Sequence, residues 1–196
     1  MTPFETTLDA ETEDFAQQIA DSVSSFLLAI REIAREGDAS RSISLLLLEI
    51  SQVLLAGARL GVQRDFLPRE EYQPDVGPEA DVDELRLRLA EMLGDLDTHS
   101  YVFDPYVPGA VESQLSDDLT SIATDLEYGL RHYRAGDVGE ALWWWQFSYV
   151  SSWGNLAGAA LNSLLSVIAH DRLDVDNDAE IEQIEAAEAV LDSDPS

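Results

Sequence analysis

The residues best suited to chemistry lie on one flank of a predicted helix, 113–134. Asp118, Asp125 and His132 follow one another at intervals of seven residues, which places neighbours about 10 Å apart along the helix axis. Carboxylates and an imidazole are groups that acid–base catalysis and metal binding use. At this separation, no two of them can hold one ion without a ligand from another helix. We therefore expect no metal site.

These three side chains, with Arg59 from an earlier helix, support one hypothesis for function. It is a small-molecule-binding protein or enzyme whose pocket lies between the helix 113–134 and the Trp-rich helix that follows. The chain has no Cys, and all 11 of its bases are Arg, which excludes a thiolate site, a Schiff-base lysine and a P-loop lysine. No local motif indicates a catalytic triad. The sequence leaves enzymatic activity undecided, favours a non-enzyme, and predicts no cofactor.

A second group of candidate residues is aromatic. Three consecutive Trp on a helix span about 200°, so they cannot all face one core. Trp145 is assigned to the core, and Trp143 is expected to face other helices. Trp144 begins a line of polar residues, and an aromatic on such a line can form part of a ligand or partner surface. The alternative is that a loop covers it, through Tyr101 or Tyr106.

Two predicted loops carry further candidates. The first spans residues 64–80 and is rich in Pro and Gly, and the second is centred on residues 101–106. Long loops without secondary structure are uncommon in small domains and are often functional. With Trp144 they predict a non-enzymatic protein-interaction module that binds a protein partner or a second copy of itself. The candidate surface residues in these loops are Tyr72, Asp75, Phe103, Asp104 and Tyr106.

Helices are the elements that must position these residues. Apolar side chains repeat at intervals of three and four residues along most of the chain, which is the helical period. No strand-length alternation of Val, Ile or Thr lies between turn signals. We predict an all-α, single-domain bundle of about five main helices with two long loops. The last helix would be roughly 50 Å long if unbroken, so we expect a bend near Ser151 and Ser152.

Two of the predicted helices contain pairs of glycines. Gly57 and Gly61 lie on one helix, and Gly154 and Gly158 lie on the other. Glycine in a helix costs about 1 kcal/mol relative to alanine, and small residues four apart form a stripe that another helix can approach closely. We predict that these two helices cross tightly within one chain. A dimer contact is the alternative.

The charge limits the possible partners. The chain has 39 acidic residues against 11 basic ones, a net charge of −28. Such a surface repels phosphate and anionic lipid, so we expect no nucleic-acid or membrane partner. A third hypothesis is an acidic mimic of nucleic acid that binds a basic DNA-handling protein. The first residues lack the basic and apolar regions of a signal peptide, and we expect a cytoplasmic protein.

Acidic residues are densest at the C-terminal end. Ten acids and one Arg lie from Asp171 to Ser196. We therefore predict a helical bundle domain over residues 1–175. Residues 176–196 are predicted to form an acidic tail that is mobile or docks weakly as a short helix.

One segment resembles a known family. It is the stretch from Ala141 to Leu156, ALWWWQFSYVSSWGNL, accompanied by YQPDVG at 72–77 and FDPY at 103–106. Together these are similar to the bacterial family named domain of unknown function 5063, over roughly residues 10–175. The specific part is the aromatic segment that ends in Trp153 and Gly154. The resemblance implies a small helical bacterial protein, and it assigns no catalytic residue.

Overall fold

A computed structural model describes residues 9–37, 39–68 and 81–192 of this chain. In chain order the elements are α1 (Ala10–Glu36), α2 (Ala39–Gly61), α3 (Asp83–Leu93), β1 (Thr98–Asp104), β2 (Val107–Gln114), α4 (Leu115–Arg134), α5 (Val138–Ser148), the π-helical segment (Tyr149–Trp153) and α6 (Gly154–Asp192). The last three follow one another without a break and form one rod, which we call the α5–α6 rod, so the described chain contains five main helical units.

The ends of α1 show how local sequence sets a helix. The Asp9 carboxylate accepts a hydrogen bond from the Thr12 backbone N–H at 2.8 Å, which satisfies one of the unpaired donors of the first turn. At the other end, Gly37 adopts a left-handed backbone with φ of 69°. That conformation favours glycine, and the first helix ends there.

The core lies between α1, α2, α4 and the α5–α6 rod. Helix α2 packs against α1 and α6, while α4 packs against α1 and α5. Helix α3 packs on the outside of this group, against α4 and α1. Burying each large apolar side chain contributes about 1.5–3 kcal/mol. The largest side chains with almost no exposed surface include Phe26, Ile30, Leu46, Ile50, Leu119, Ile122, Trp145 and Trp153.

The predicted all-α class is correct only in part. Helices form 79% of the structure, but residues 98–114 form an antiparallel two-stranded hairpin in place of the second predicted loop. β1 is rich in the aromatic and β-branched residues that favour strands. At the turn, Asp104 Oδ1 accepts a hydrogen bond from the Tyr106 backbone N–H at 2.8 Å. Asp followed by Pro is typical of a tight turn, and here that turn connects two strands.

The α5–α6 rod is irregular where the sequence predicts a bend. In a π-helical turn the backbone hydrogen bonds join residues five apart, so the turn contains one residue more than an α-helical turn. The extra residue rotates all later side chains by about 100° around the helix axis. In a regular helix Trp153 would lie about 80° around the axis from Trp145, and the extra residue reduces this to about 20°. Both indoles are consequently fully buried. Beyond them the backbone of α6 stays helical to Asp192, through most of the segment predicted as an acidic tail.

Helix α2 is both long and apolar. Among the described residues, it is the one helix long and apolar enough to cross a membrane, over Arg41–Gly61. Its inward face belongs to the core, because Leu46, Ile50 and Val53 are almost completely buried. A helix in a protein core can have the same length and apolar composition, and α2 packs in the bundle as such a helix.

Candidate functional site

The base of the β1–β2 hairpin is held to the start of α4 by Asp97. Its carboxylate accepts hydrogen bonds from the Ser116 backbone N–H and the Ser116 hydroxyl, both at 2.8 Å. Its carbonyl accepts one from the Leu115 N–H at 2.7 Å. Asp97 therefore satisfies unpaired donors at the first turn of α4 and fixes the direction in which the hairpin leaves the bundle.

A buried polar cluster lies next to this attachment. His99 Nε2 is 2.7 Å from Asp118 Oδ2, and the Ser113 hydroxyl donates to Asp118 Oδ1 at 2.7 Å. His99 and Ser113 face each other across the two strands, so both side chains meet the same carboxylate one turn into α4. The sequence indicated Asp118 but neither of its partners, because their pairing depends on the hairpin.

Tyr101 covers this cluster. Its ring stacks on the His99 ring with the centroids 5.6 Å apart and the planes 20° apart. Burial, and after it the negative charge of Asp118, raises the pKa of the Tyr101 phenol above its ordinary value. Within the described residues the second His99 nitrogen, Nδ1, is buried without a hydrogen-bond partner. A general base must be within reach of its substrate, whereas His99 and Asp118 are buried. This geometry favours a structural role, in which the two residues hold the hairpin to α4, over acid–base catalysis.

The far end of the hairpin is exposed and apolar. Tyr106 is 93% exposed and Val107 is 71% exposed. The strand register shifts between Val102 and Asp104, a bulge of the kind that redirects side chains. In the described part of the chain, no backbone hydrogen bond joins either strand to a third segment. We call the exposed residues Val102, Phe103, Tyr106, Val107 and Val111 the tip surface.

Trp144 lies elsewhere, against α4. Its indole N–H donates to the Asp125 carbonyl oxygen at 3.1 Å, and its ring centroid is 5.4 Å from that of Tyr128 and 6.3 Å from that of His132. Trp144 therefore packs against residues of α4, and not under Tyr101 or Tyr106 as the alternative prediction had it. Trp143 is half-buried and stacks on the exposed Phe147 ring, one turn along the same helix, at 5.3 Å.

The polar residues predicted to share a pocket lie in separate places. Asp118 binds the hairpin, Asp125 faces the π-helical segment, and His132 packs beside Trp144. Arg59 turns toward α1, where its guanidinium lies 5.3 Å from the Phe15 ring and donates to Gln18 at 2.6 Å. No group of three or more metal-ligating side chains comes together in the parts of the chain that the structure covers.

Two surface clefts in the described part of the chain contain none of these residues. One, of about 640 Å³, lies between the start of α1 and the segment after α2, and it includes Phe15, Arg64 and Phe66. The other, of about 210 Å³, lies between α1 and α3. The segment after α2 is attached to α5 by buried Gln146, which accepts from the Phe66 N–H and donates to the Leu60 carbonyl, both at 2.9 Å. Two predicted surface residues of the same loop, Tyr72 and Asp75, lie outside the described residues.

The Asp125 carboxylate on α4 is hydrogen-bonded to Ser152 of the π-helical segment. Burial raises the pKa of Asp125, and a hydrogen bond from Ser152 partly opposes that rise. A raised pKa means that folding penalises the charged form. The stabilisation is therefore greatest in acid and is lost as the pH rises through the folded-state pKa.

We expect Asp125→Asn to raise the melting temperature at pH 7, since Asn cannot ionise and still offers an oxygen to Ser152. The difference from wild type should shrink as the pH falls through the raised folded-state pKa, and it should be gone below the usual aspartate pKa of about 4. Thermal unfolding followed by circular dichroism, at pH 7 and at a pH of about 4, measures this difference in melting temperature. A variant less stable than wild type at pH 7 would contradict the sign of this effect.

The predicted close-packing glycines differ in their surroundings. A Cβ at Gly57 would lie 2.5 Å from Trp153 and closer still to Tyr149, while one at Gly154 would overlap the Tyr149 backbone and ring. A Cβ at Gly61 would lie 3.1 Å from Tyr149. These three glycines accommodate the aromatic side chains of the π-helical segment. A Cβ at Gly158 would have no described atom within 4 Å, so the close packing does not extend to it.

Gly129 has the same role, although the sequence did not suggest it. It lies in the middle of α4 below Trp145, and a Cβ there would overlap the indole ring. Trp145 approaches so closely that its N–H donates to the Leu126 carbonyl at 3.0 Å. A single glycine inside a helical pattern is the only signal available, and it does not name the partner.

The sequence profile of the domain of unknown function 5063 (DUF5063) matches residues 10–170, which include every helix that forms the core and the hairpin. The chain belongs to this family. The DUF5063 region thus contains both the buried cluster and the tip surface.

The DUF5063 fold also resembles a solved structure. The crystal structure of protein BF1032 from Bacteroides fragilis aligns with a TM-score of 0.60 and 17% identity, covering 76% of this chain and 89% of that one. At this identity the likeness concerns the fold alone. No curated protein matches the chain.

Proposed function

We propose that this chain is a non-enzymatic protein-interaction module whose binding element is the β1–β2 hairpin. The observation that carries the proposal is the tip surface, five large apolar side chains that remain exposed within one short hairpin. Contiguous exposed apolar residues mark interaction sites in soluble proteins. The two hairpin edges are also unpaired in the described residues, and an extended segment can bind such an edge through its backbone.

The base of the hairpin supports this role. Asp97 and Asp118 together hold the hairpin to α4 through two buried hydrogen bonds and one half-buried hydrogen bond. A binding element that is already ordered loses less conformational entropy when a partner arrives. The tip surface is therefore presented by a rigid base, as in other domains where loops or turns on a stable scaffold carry recognition.

Charge indicates the chemistry of the partner. The protein has a net charge of −28, and the charged residues within 98–114 are the acids Asp104 and Glu112. Complementary charge favours encounter and excludes partners of like charge. The expected partner is a protein segment that combines apolar side chains with Arg or Lys.

A peptide-display selection against the purified full-length protein tests this function. We expect the enriched peptides to combine apolar and basic residues. The double variant Tyr106→Ala with Val107→Ser should weaken their binding by about tenfold or more, because exposed aromatic residues dominate binding energy when an interface covers them. Isothermal titration calorimetry with the enriched peptides measures this loss.

The matched control is Leu87→Ser, which alters an equally apolar side chain that is 60% exposed on α3. It should bind the peptides as wild type does. Equal loss in both variants, or no enrichment above background, would contradict the proposal. Enrichment of purely basic peptides, whose binding disappears at high salt and ignores Tyr106, would instead support an acidic mimic of nucleic acid.

A further inference from the structure

A second exposed surface differs from the tip surface because it contains no charge. From Ala141 to Ala169 the chain has no Asp, Glu, Lys or Arg, although it has 39 acids and 11 bases in all. The outward residues of α6 in this stretch include Asn155, Gly158, Asn162 and Leu165. The outward residues of α2 include Leu48, Leu55, Ala58 and Val62, which are also uncharged. We call these two stripes together the uncharged face.

The two stripes adjoin. α2 and α6 pack against each other. Among the charged residues of α2, Arg41 precedes the stripe, which begins at Ser44. Arg59 lies one turn from Leu55 but directs its guanidinium toward α1. Glu49 lies on the same flank of the helix as Arg59, because residues 49, 52, 56 and 59 follow one another at helical spacing. On α6, Ser152 marks the flank that faces Asp125 of α4. The uncharged face therefore spans the groove between α2 and α6.

Two observations suggest that one chain leaves this face incomplete. The most apolar 18-residue window of α2 has a mean hydropathy of 1.7, yet only 39% of it is buried. In addition, Gly158 lies inside a helix with no described atom near the place of a Cβ. A helical glycine costs about 1 kcal/mol relative to alanine, and no contact within the described chain explains it.

The charge distribution identifies the occupant. Two copies of a protein with a net charge of −28 repel each other wherever their carboxylates meet. On the uncharged face they can meet without placing carboxylates opposite one another. A cationic partner would gain nothing from this face, since it offers no carboxylate to bind. Leucines that alternate with small residues also let one copy fit into the other across a two-fold axis.

We propose that the uncharged face is the contact between two copies of this chain. From Ser44 to Val62 it is about 27 Å long, and two helices packed side by side make it about 20 Å wide. The area is on the order of 500 Å² per copy, somewhat below the roughly 800 Å² of a standard interface. The expected complex is thus a reversible dimer with a dissociation constant in the micromolar range, about 10⁻⁶–10⁻⁴ M.

Sedimentation equilibrium of the full-length protein over a range of concentrations tests the proposal. Wild type should form a reversible dimer that becomes tighter as salt screens the repulsion between copies. Leu55→Glu and Leu165→Glu each place a carboxylate in the face, and each should weaken dimerisation by about tenfold or more. Leu55 is 65% exposed in the single chain, so Leu55→Glu should leave the melting temperature of the dilute monomer unchanged.

Leu87→Glu is the control for added charge on an exposed leucine, and it should dimerise as wild type does. The Tyr106→Ala with Val107→Ser variant should also dimerise normally, which separates this proposal from the proposed function. A single monomeric species up to about 10⁻³ M, or a dimer that ignores both glutamates, would overturn it. Flotation with neutral phosphatidylcholine vesicles that Leu55→Glu abolishes would assign the face to a membrane and would equally overturn it.

Discussion

Replacing Gly129 with Ala is expected to lower the free energy of unfolding by about 2–4 kcal/mol, through overpacking and the loss of one buried hydrogen bond. The added Cβ would overlap the Trp145 indole, whose ring atom Cε2 lies 2.6 Å from that position. The indole is fully buried and donates to the Leu126 carbonyl. Moving it away breaks this bond and disturbs the packing of α4 against α5.

Urea unfolding followed by Trp fluorescence measures the effect, and Gly139→Ala is the matched control. Gly139 lies in the first turn of α5, and a Cβ there would meet no described atom within 4 Å. Its replacement should stabilise the protein by up to about 1 kcal/mol, since alanine favours a helix more than glycine does. Equal stability changes at the two positions would show that Trp145 is not packed against α4 as described.

Replacing Asp118 with Ala is expected to cost about 2–5 kcal/mol, because it leaves the buried His99 ring and the half-buried Ser113 hydroxyl without an acceptor. It should also release the hairpin from α4, so that the amides of residues 98–114 exchange faster with solvent than those of the core helices. Urea unfolding and hydrogen exchange followed by mass spectrometry measure the two effects. Asp117→Ala is the control, since that carboxylate makes only a 3.5 Å surface pair with Arg86 and should change stability by less than about 1 kcal/mol.

Tyr101 reports on the same substitution independently of stability. Burial and the Asp118 charge keep its pKa above the ordinary value, so removing that charge should lower the pKa of Tyr101. Folding favours the neutral phenol, and the associated stabilisation is lost as the pH rises through the folded-state pKa. Alkaline titration of tyrosine absorbance detects the change. An unaltered titration together with unaltered hairpin exchange would mean that Asp118 does not hold the hairpin.

The hairpin explains why the predicted second loop contained so many aromatic residues. Its residues Tyr101 and Phe103 belong to a strand, and Asp104 accepts the hydrogen bond that shapes the turn. Aromatic residues followed by Asp–Pro are consistent with a hairpin as well as with a loop, because Asp and Pro are turn signals in both. A two-stranded hairpin is marginal alone, and its buried attachment to α4 stabilises this one.

The positions of the helices were the most predictable feature. The spacing of apolar residues predicted about five main helices, and the described chain has five helical units, because helix formation depends on residues three and four apart. The assignment of Trp145 to the core is confirmed, since its side chain is fully buried. Membership of the family was equally visible, since it depends on the order of residues alone.

Which side chains meet across elements was decided by the tertiary structure. The sequence indicated Asp118 but not its partner His99, and it indicated Gly57 but not Gly129. His99 contacts Asp118 and Gly129 contacts Trp145, and in each case the two residues lie on different elements. The relative placement of those elements is set by packing of the whole core. The π-helical turn shows the reason most directly, since one extra residue rotates all of α6 and changes which side chains face inward. Periodicity along the chain determines the faces of each helix, and only the docking of those faces determines their partners.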